Sequence, residues 1–312
     1  MRPSMTLRFA HQPDLAATMD IQIPALAWQP VGDGRWRRTY HLDGDPIPVE
    51  VTEADHALRF FFDTPPDTAA LVRTRLTDAF GTMVGDLTLD THPTLKAIRD
   101  RYRGVIVMTA APFEALVLTI LSQNRTGEIV RQVYPALAAA SGGATPQRLA
   151  ALSVDQLAAL IRSAGPYKAS RLAETAKIVA TIGVDAFDRI VRQPGPQALV
   201  YLESLPGVAH KTAACVLVFA AATRTTLPVD THLFRVVDRL GLASHAGRNT
   251  KTVRDQLIVT LLRYGPDLAP AHFLFLLVGR STCTASAPNC GACFLAEHCQ
   301  HAATTPPGSE QP

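Results

Sequence analysis

The chain has 312 residues, about the length of two domains. At 47% hydrophobic and 18% charged residues it is not a disordered chain. Its longest apolar run, the ten residues Ala213 to Ala222, falls short of the roughly 20 needed to cross a bilayer, so no membrane partner is expected. The N-terminus lacks a basic stretch followed by an apolar core, so no secretory signal is expected either. The net charge of +3 is unevenly spread, −4 over residues 1–100 and +7 over the rest. Any surface for a polyanion therefore lies after residue 100.

Residues 1–65 read as strands and turns. Trp36, Tyr40 and Leu42 alternate with polar residues ahead of the turn signal Asp43-Gly44-Asp45-Pro46, and Ile47, Val49 and Val51 resume the alternation. With a helix at about Asp67 to Phe80, this predicts an antiparallel β-rich domain over residues 1–90. From about residue 91 the pattern turns helical. Pro112 opens Phe113 to Gln123, which is apolar nearly all round and predicts a buried helix. Thr145-Pro146 is an N-cap followed by proline at the first helical position. Ser153 with Gln156 is a capping box, and its helix should stop near Gly165-Pro166. A helix from about Ser170 to Ile182 ends at Gly183. Others follow at about 195–204, 210–222, 231–241, 250–263 and 268–280. The polar, proline-rich segment 301–312 is expected to be disordered. The predicted class is mainly α with an N-terminal antiparallel β-rich (α+β) domain.

Four of the five cysteines are spaced Cys283-x6-Cys290-x2-Cys293-x5-Cys299. Four thiolates within 17 residues can close around one centre, because the loop is short and contains Pro288 and Gly291. They are the ligand set for a [4Fe–4S] cluster or a structural Zn²⁺. Zinc more usually shows two Cys-x2-Cys pairs a dozen or more residues apart, so the spacing favours iron–sulfur and leaves zinc open. Cys215, alone in the apolar run, reads as core. Clustered thiols, not a spread disulfide framework, point to a reducing compartment.

The stretch Leu205-Pro206-Gly207-Val208-Ala209-His210-Lys211 joins two helices through a very short turn. Pro206 ends the first helix and Gly207 permits the turn. The second helix then starts with unpaired N–H groups facing outward. Gly207, Val208, Ala209 and His210 could there hold a phosphate without reading sequence. An ordinary helix corner would look the same. Lys211 is one of only five lysines among 30 basic residues. It sits in the first helical turn, where the positive end of the dipole disfavours an ammonium. Burial would favour the neutral amine further. Such an amine can form a Schiff base with an aldehyde or a sugar C1′. Taken alone, however, Lys211 reads as an ordinary solvated lysine. Asp230 lies in Val229-Asp230-Thr231-His232, just ahead of the helix Leu233 to Leu240, where an N-cap is the ordinary reading. A capping carboxylate is also a fixed one, able to stabilise an oxocarbenium-like sugar.

In that order, the hairpin lysine, the Val-Asp-Thr-His segment and the four-cysteine loop resemble the endonuclease III branch of the helix-hairpin-helix (HhH-GPD) DNA glycosylases. The matching stretches are Leu205–Ala213, Val229–Val236 and Gly279–Cys299, with weaker similarity at Pro112–Thr126 and Gly165–Ala169. The resemblance implies a helical barrel with the hairpin at 112–224 and an iron–sulfur lobe made of 91–111 and 225–300, with the lesion entering between them. It implies a [4Fe–4S] cluster on Cys283, Cys290, Cys293 and Cys299, with structural zinc as the alternative. It implies that Lys211 attacks C1′ of the damaged nucleotide, that Asp230 activates the attack, and that Glu203, just before the hairpin, supports the site. The implied partner is double-stranded DNA with damaged bases or abasic sites, handled by a monomer in a bacterial or archaeal cytoplasm, at the nucleoid. A side chain must fill the gap left by an extruded base. Gln123 or Asn124, in Ser122-Gln123-Asn124-Arg125-Thr126, is the candidate, with Arg125 beside them on the DNA. Arg239 and Arg280 are candidate phosphate ligands.

Two departures stand out. Ala209 occupies the place of a second hairpin glycine. Ser-Gln-Asn-Arg-Thr-Gly replaces the Ser-Ala-Gln-Ala-Thr-Asp of endonuclease III, so lesion-pocket residues do not carry over there. The N-terminal domain in turn looks like that of 8-oxoguanine and alkyladenine glycosylases. The expected activity is a base-excision glycosylase with AP lyase activity, acting first on an oxidised pyrimidine and second on an oxidised or alkylated purine. The alternatives are a monofunctional glycosylase that uses Asp230 only and a non-catalytic DNA-binding iron–sulfur protein.

Overall fold

A computed structural model describes residues 4–42, 44–87, 92–220, 226–243, 250–263 and 268–304. Its strands are β1 (Met5–Arg8), β2 (Gln29–Gly32), β3 (Arg35–Leu42), β4 (Asp45–Ala54) and β5 (Ala57–Phe61). Its helices begin with α1 (Leu15–Ile21), α2 (Pro66–Phe80), α3 (Pro93–Arg101), α4 (Pro112–Ser122), α5 (Gly127–Ser141), α6 (Pro146–Ala150) and α7 (Val154–Leu160). They continue with α8 (Ala169–Ile182), α9 (Val184–Val191), α10 (Gly195–Glu203), α11 (His210–Phe219), α12 (Thr231–Leu240), α13 (Thr250–Leu262), α14 (Ala269–Ser281) and α15 (Gln300–Thr304).

The chain divides into two compact units, Met1–Thr82 with Gly104–Ala222, and Met83–Arg103 with Thr223–Pro312. In the first, the five strands form an antiparallel sheet in the order β1-β5-β4-β3-β2. The alternation read in β3 and β4 turns Tyr40, Ile47, Val49 and Val51 inward. Trp28 and Phe60 meet Phe80 of α2 edge-on, at 5.5 and 5.3 Å between ring centroids, and close the core beneath the sheet.

The compact units divide the chain differently from the domains expected over 1–90, 112–224, and 91–111 with 225–300. The sheet belongs with helices α4–α11, and residues 104–111 join them, not the lobe. Polar anchors explain this. Arg131 of α5 is buried and donates to the carbonyls of Met19, Ala25 and Trp28 at 2.6, 3.0 and 2.6 Å. Arg38 of β3 pairs with Glu114 of α4 at 2.5 Å, and Tyr134 of α5 donates to the same carboxylate at 3.0 Å. Thr18 Oγ1 and Gln22 Oε1 accept from the amides of Ile106 and Met108. Buried polar groups of this kind have no alternative partners, so they hold the two segments together.

Arg131→Met tests this anchoring. Three carbonyls lose a donor, at roughly 1–3 kcal/mol for each one left unsatisfied. Urea unfolding should show a loss of about 3 kcal/mol or more. A midpoint equal to that of the unaltered protein would show that the sheet is held without this arginine.

The helix signals hold in detail. Thr145 Oγ1 accepts from Arg148 N, and the Ser153–Gln156 box closes in both directions. That helix stops at Leu160, and a 3₁₀ turn over Arg162–Ala164 carries the chain to Gly165. Helix α5 has no such signal. Pro135 lies inside it and removes a ladder hydrogen bond. Burial of Val130, Val133, Tyr134, Leu137 and Ala138 along one face outweighs that loss. In the second unit α12 and α3 pack on α14, around Leu274, Phe275 and Leu277. Residues 301–304, expected within a disordered tail, continue the helix α15, which packs on α12. Residues 305–312 lie outside the described residues, as do 88–91.

Candidate active site

Helix α4 is buried almost throughout and packs on α11, which is buried from Thr212 to Phe219. The two run antiparallel. At one end Ala110 N donates to Phe219 O at 2.9 Å. At the other, Gln123 Nε2 donates to Thr212 Oγ1 and to Gly207 O, both at 3.1 Å. The polar turn after α4 thus lies against the hairpin before α11. Asn124, exposed at the head of that turn, has φ +55°, a left-handed conformation that asparagine tolerates. Arg125 is exposed but tied, donating to the carbonyls of Ser163 and Asn124.

The hairpin turns at Gly207, where φ is +77° and an added Cβ would stand 2.6 Å from Arg171 Cδ. Ala209, by contrast, has φ −89° and ψ 171°, extended backbone that any L-residue adopts. The missing second glycine therefore leaves the turn unaltered. The first amides of α11 have no side-chain cap and remain available to an anion. Accordingly Ala209→Gly should leave affinity for duplex DNA unchanged. Gly207→Ala, which forces a β-carbon into left-handed backbone at about 1–2 kcal/mol, should weaken it roughly tenfold. Fluorescence anisotropy on one oligonucleotide compares the pair.

Lys211 is exposed, with no hydrogen-bond or ion-pair partner among the described residues. The protein does not bury it. Glu203, at the end of α10, contacts His210 Nδ1 at 2.6 Å across the hairpin. It braces the turn beside Lys211. Val208 is buried, and its amide donates to Leu205 O at 3.1 Å.

In the second unit Asp230 caps α12, its carboxylate accepting from Leu233 N at 2.7 Å. His272 Nδ1, buried, lies 3.0 Å from Pro228 O and fixes the approach to this cap. One and two turns on, Arg235 and Arg239 point at the cysteine loop. Arg235 donates to Gly279 O and Cys283 O at 2.7 and 2.9 Å. Arg239 donates to Cys283 Sγ at 3.2 Å, to Thr284 O at 2.7 Å and to Ala285 O at 3.1 Å. Arg239 therefore holds the loop, and its expected use as a phosphate ligand gives way to that role.

All five cysteines are thiols, not disulfides, and the four of the loop line one small cavity with Arg239 and Pro288. Burial pushes the Cys293 thiol up, and the neighbouring Cys299 and Cys283 add to that. Among the described residues no three histidine, cysteine, aspartate or glutamate side chains converge closely enough to hold one metal ion. Four thiols lining one cavity are the donor set that a [4Fe–4S] cluster would take.

Two further residues beside these elements were given no role from the sequence. Lys168, buried at 1% exposure, donates to Leu121 O and Gln123 O at 2.8 and 2.7 Å. Burial, with Arg125 nearby, pushes its ammonium down to about 8. Its signals in the sequence were the scarcity of lysine and its place in the weakly similar stretch Gly165–Ala169. Arg235 falls in the matching stretch Val229–Val236, without a role assigned to it there. A cavity of about 430 Å³, bordered by Arg38, Arg75, Asp188 and Arg192, lies at the opposite end of α4 and contains none of the candidate residues.

Residues 117–260 match the model of the HhH-GPD superfamily of base excision DNA repair proteins, and residues 283–299 match the iron-sulfur binding domain of endonuclease III. Endonuclease III of Treponema pallidum is 36% identical over 188 residues, which cover 60% of this chain and 82% of that protein. A non-covalent endonuclease III–DNA complex superimposes with a TM-score of 0.52 at 25% identity, covering 75% of this chain and 96% of the other. The 3-methyladenine DNA glycosylase of Archaeoglobus fulgidus is similar in fold over more of the chain, with a TM-score of 0.69 at 20% identity, covering 89% and 99%.

Proposed function

The chain belongs to the endonuclease III family of HhH-GPD base-excision repair proteins, and from that membership we propose how its own residues remove a base and cut the strand. The enzyme is a DNA glycosylase with AP lyase activity and carries a [4Fe–4S] cluster. Lys211 is the nucleophile. Its neutral amine attacks C1′, the N-glycosidic bond breaks and the base departs with the bonding pair. Opening of the sugar leaves an imine between C1′ and Nζ. Loss of a C2′ proton then expels the 3′ phosphate by elimination. Asp230, held by its cap, accepts a proton and stabilises positive charge at the same sugar. The first amides of α11 hold a backbone phosphate, and Gln123 or Asn124 fills the space of the extruded nucleotide. Cys283, Cys290, Cys293 and Cys299 hold the cluster, which when bound gives the loop a rigid shape. The enzyme acts as a monomer.

One observation carries this reading. A hairpin lysine, a capping aspartate and a four-cysteine loop occur in one order in a chain that is 36% identical to an endonuclease III. An oxidised pyrimidine is the favoured substrate, on that same similarity. Likeness to the 3-methyladenine glycosylase fold keeps a damaged purine as the second reading. A lesion panel in duplex oligonucleotides, run with and without alkali, decides. Cleavage of an oxidised pyrimidine without alkali is expected. Release of purines alone would move the substrate to the second reading, and a constant need for alkali would remove the lyase role from Lys211.

A further inference from the structure

We propose that Lys168 is a positioning residue: from inside the fold it sets the turn that meets the DNA, and Gln123 connects that turn to the catalytic hairpin. Lys168 sits in the 3₁₀ turn Pro166–Lys168 before α8. Its Nζ reaches the carbonyls of Leu121 and Gln123, at the end of α4. The last four carbonyls of a helix lack intrahelical partners, and an ammonium is favoured at that end of the dipole. On the other side of the same backbone, the Gln123 side chain grips Gly207 O and Thr212 Oγ1, in the hairpin and beside Lys211. Lys168, Gln123 and the hairpin thus form one continuous chain of hydrogen bonds.

Two further facts separate this from ordinary packing. Among the described residues no carboxylate pairs with Lys168. The charged neighbour is Arg125, which repels it, and the Tyr167 ring centroid lies 5.7 Å away. A buried ammonium without a counter-ion works against stability, and a core position would not call for one. The turn it holds is also unusual. Asn124, directly after the Gln123 carbonyl that Lys168 holds, is exposed and has φ +55°.

The proposal rests on the reading of the Gln123–Asn124 turn as the element that fills the gap in the duplex. It predicts a split between two steps. Base release from intact damaged duplex needs the gap filled. Schiff-base capture at a preformed abasic site needs only Lys211. Holoenzyme carrying Lys168→Met should release the damaged base roughly a hundredfold more slowly under single-turnover conditions, the cost expected for a displacement near 1 Å. Its borohydride trapping on preformed abasic-site duplex should match the wild-type rate. Lys168→Arg, able to reach the same carbonyls, should restore release. Equal loss of release and trapping, or loss of neither, would overturn the proposal. Should Lys168→Met fail to fold, Lys168→Gln, which keeps a donor but shortens its reach to the two carbonyls, takes its place, and slow release with intact trapping is again required. Wild-type protein that never traps would refute the assignment of Lys211, a different outcome from either.

Discussion

Lys211→Ala is expected to abolish borohydride trapping on abasic-site DNA and to slow base release and strand cleavage on the order of 10⁴-fold, the scale on which enzymes lose a nucleophile. The same substitution should leave stability within about 0.5 kcal/mol, because the side chain is exposed and makes no hydrogen bond or ion pair among the described residues. Alanine is also the best helix former, so the start of α11 should be retained. The hairpin binds through backbone amides, so affinity for undamaged duplex should change little. Three measurements on one variant therefore separate chemistry from folding and from DNA binding. A Lys211→Ala protein that still trapped would shift the nucleophile to another amine. One that still released base without trapping would make the enzyme monofunctional, with Asp230 directing water.

Asp230→Asn separates two jobs that one carboxylate performs. Asparagine caps a helix about as well as aspartate, so the bond to Leu233 N at 2.7 Å should persist and the melting temperature should hold. The amide can neither accept a proton nor carry the negative charge that faces a developing oxocarbenium ion. Excision should fall by about 10² to 10⁴, the usual range for a general base. Asp230→Ala should lose the same activity and about 1 kcal/mol of stability besides, through the cap. Were Asp230→Asn as active as the wild type in single turnover, Asp230 would be a structural cap and nothing more.

The candidate site residues could be singled out because their signals are local. A Pro-Gly turn, a cap ahead of an amphipathic helix and four cysteines within 17 residues each announce themselves over a short window. The helix limits were read to within a few residues for the same reason, at Thr145, Ser153 and Gly183. The doubt over Ala209 was resolvable only from its backbone angles, since φ −89° imposes no demand for glycine. Lys168, Arg131 and Arg235 stayed hidden. Each acts through backbone carbonyls far along the chain, and a carbonyl has no residue identity to read.

What the residues alone established is the family, the order of lysine, aspartate and cysteines, and a β-rich start to a helical chain. What needed the folded chain is where those pieces meet. The N-terminal sheet reads as a domain of its own. Yet Arg131 and the Arg38–Glu114 pair bind it into the unit that carries the hairpin. The turn at Gln123 and the hairpin at Gly207 lie 84 residues apart in sequence and become neighbours because α4 and α11 pack antiparallel. Periodicity reports that both helices are buried, but burial has no direction. The sense in which two apolar helices pair is set by the polar contacts at their ends, and those form between residues that share no pattern.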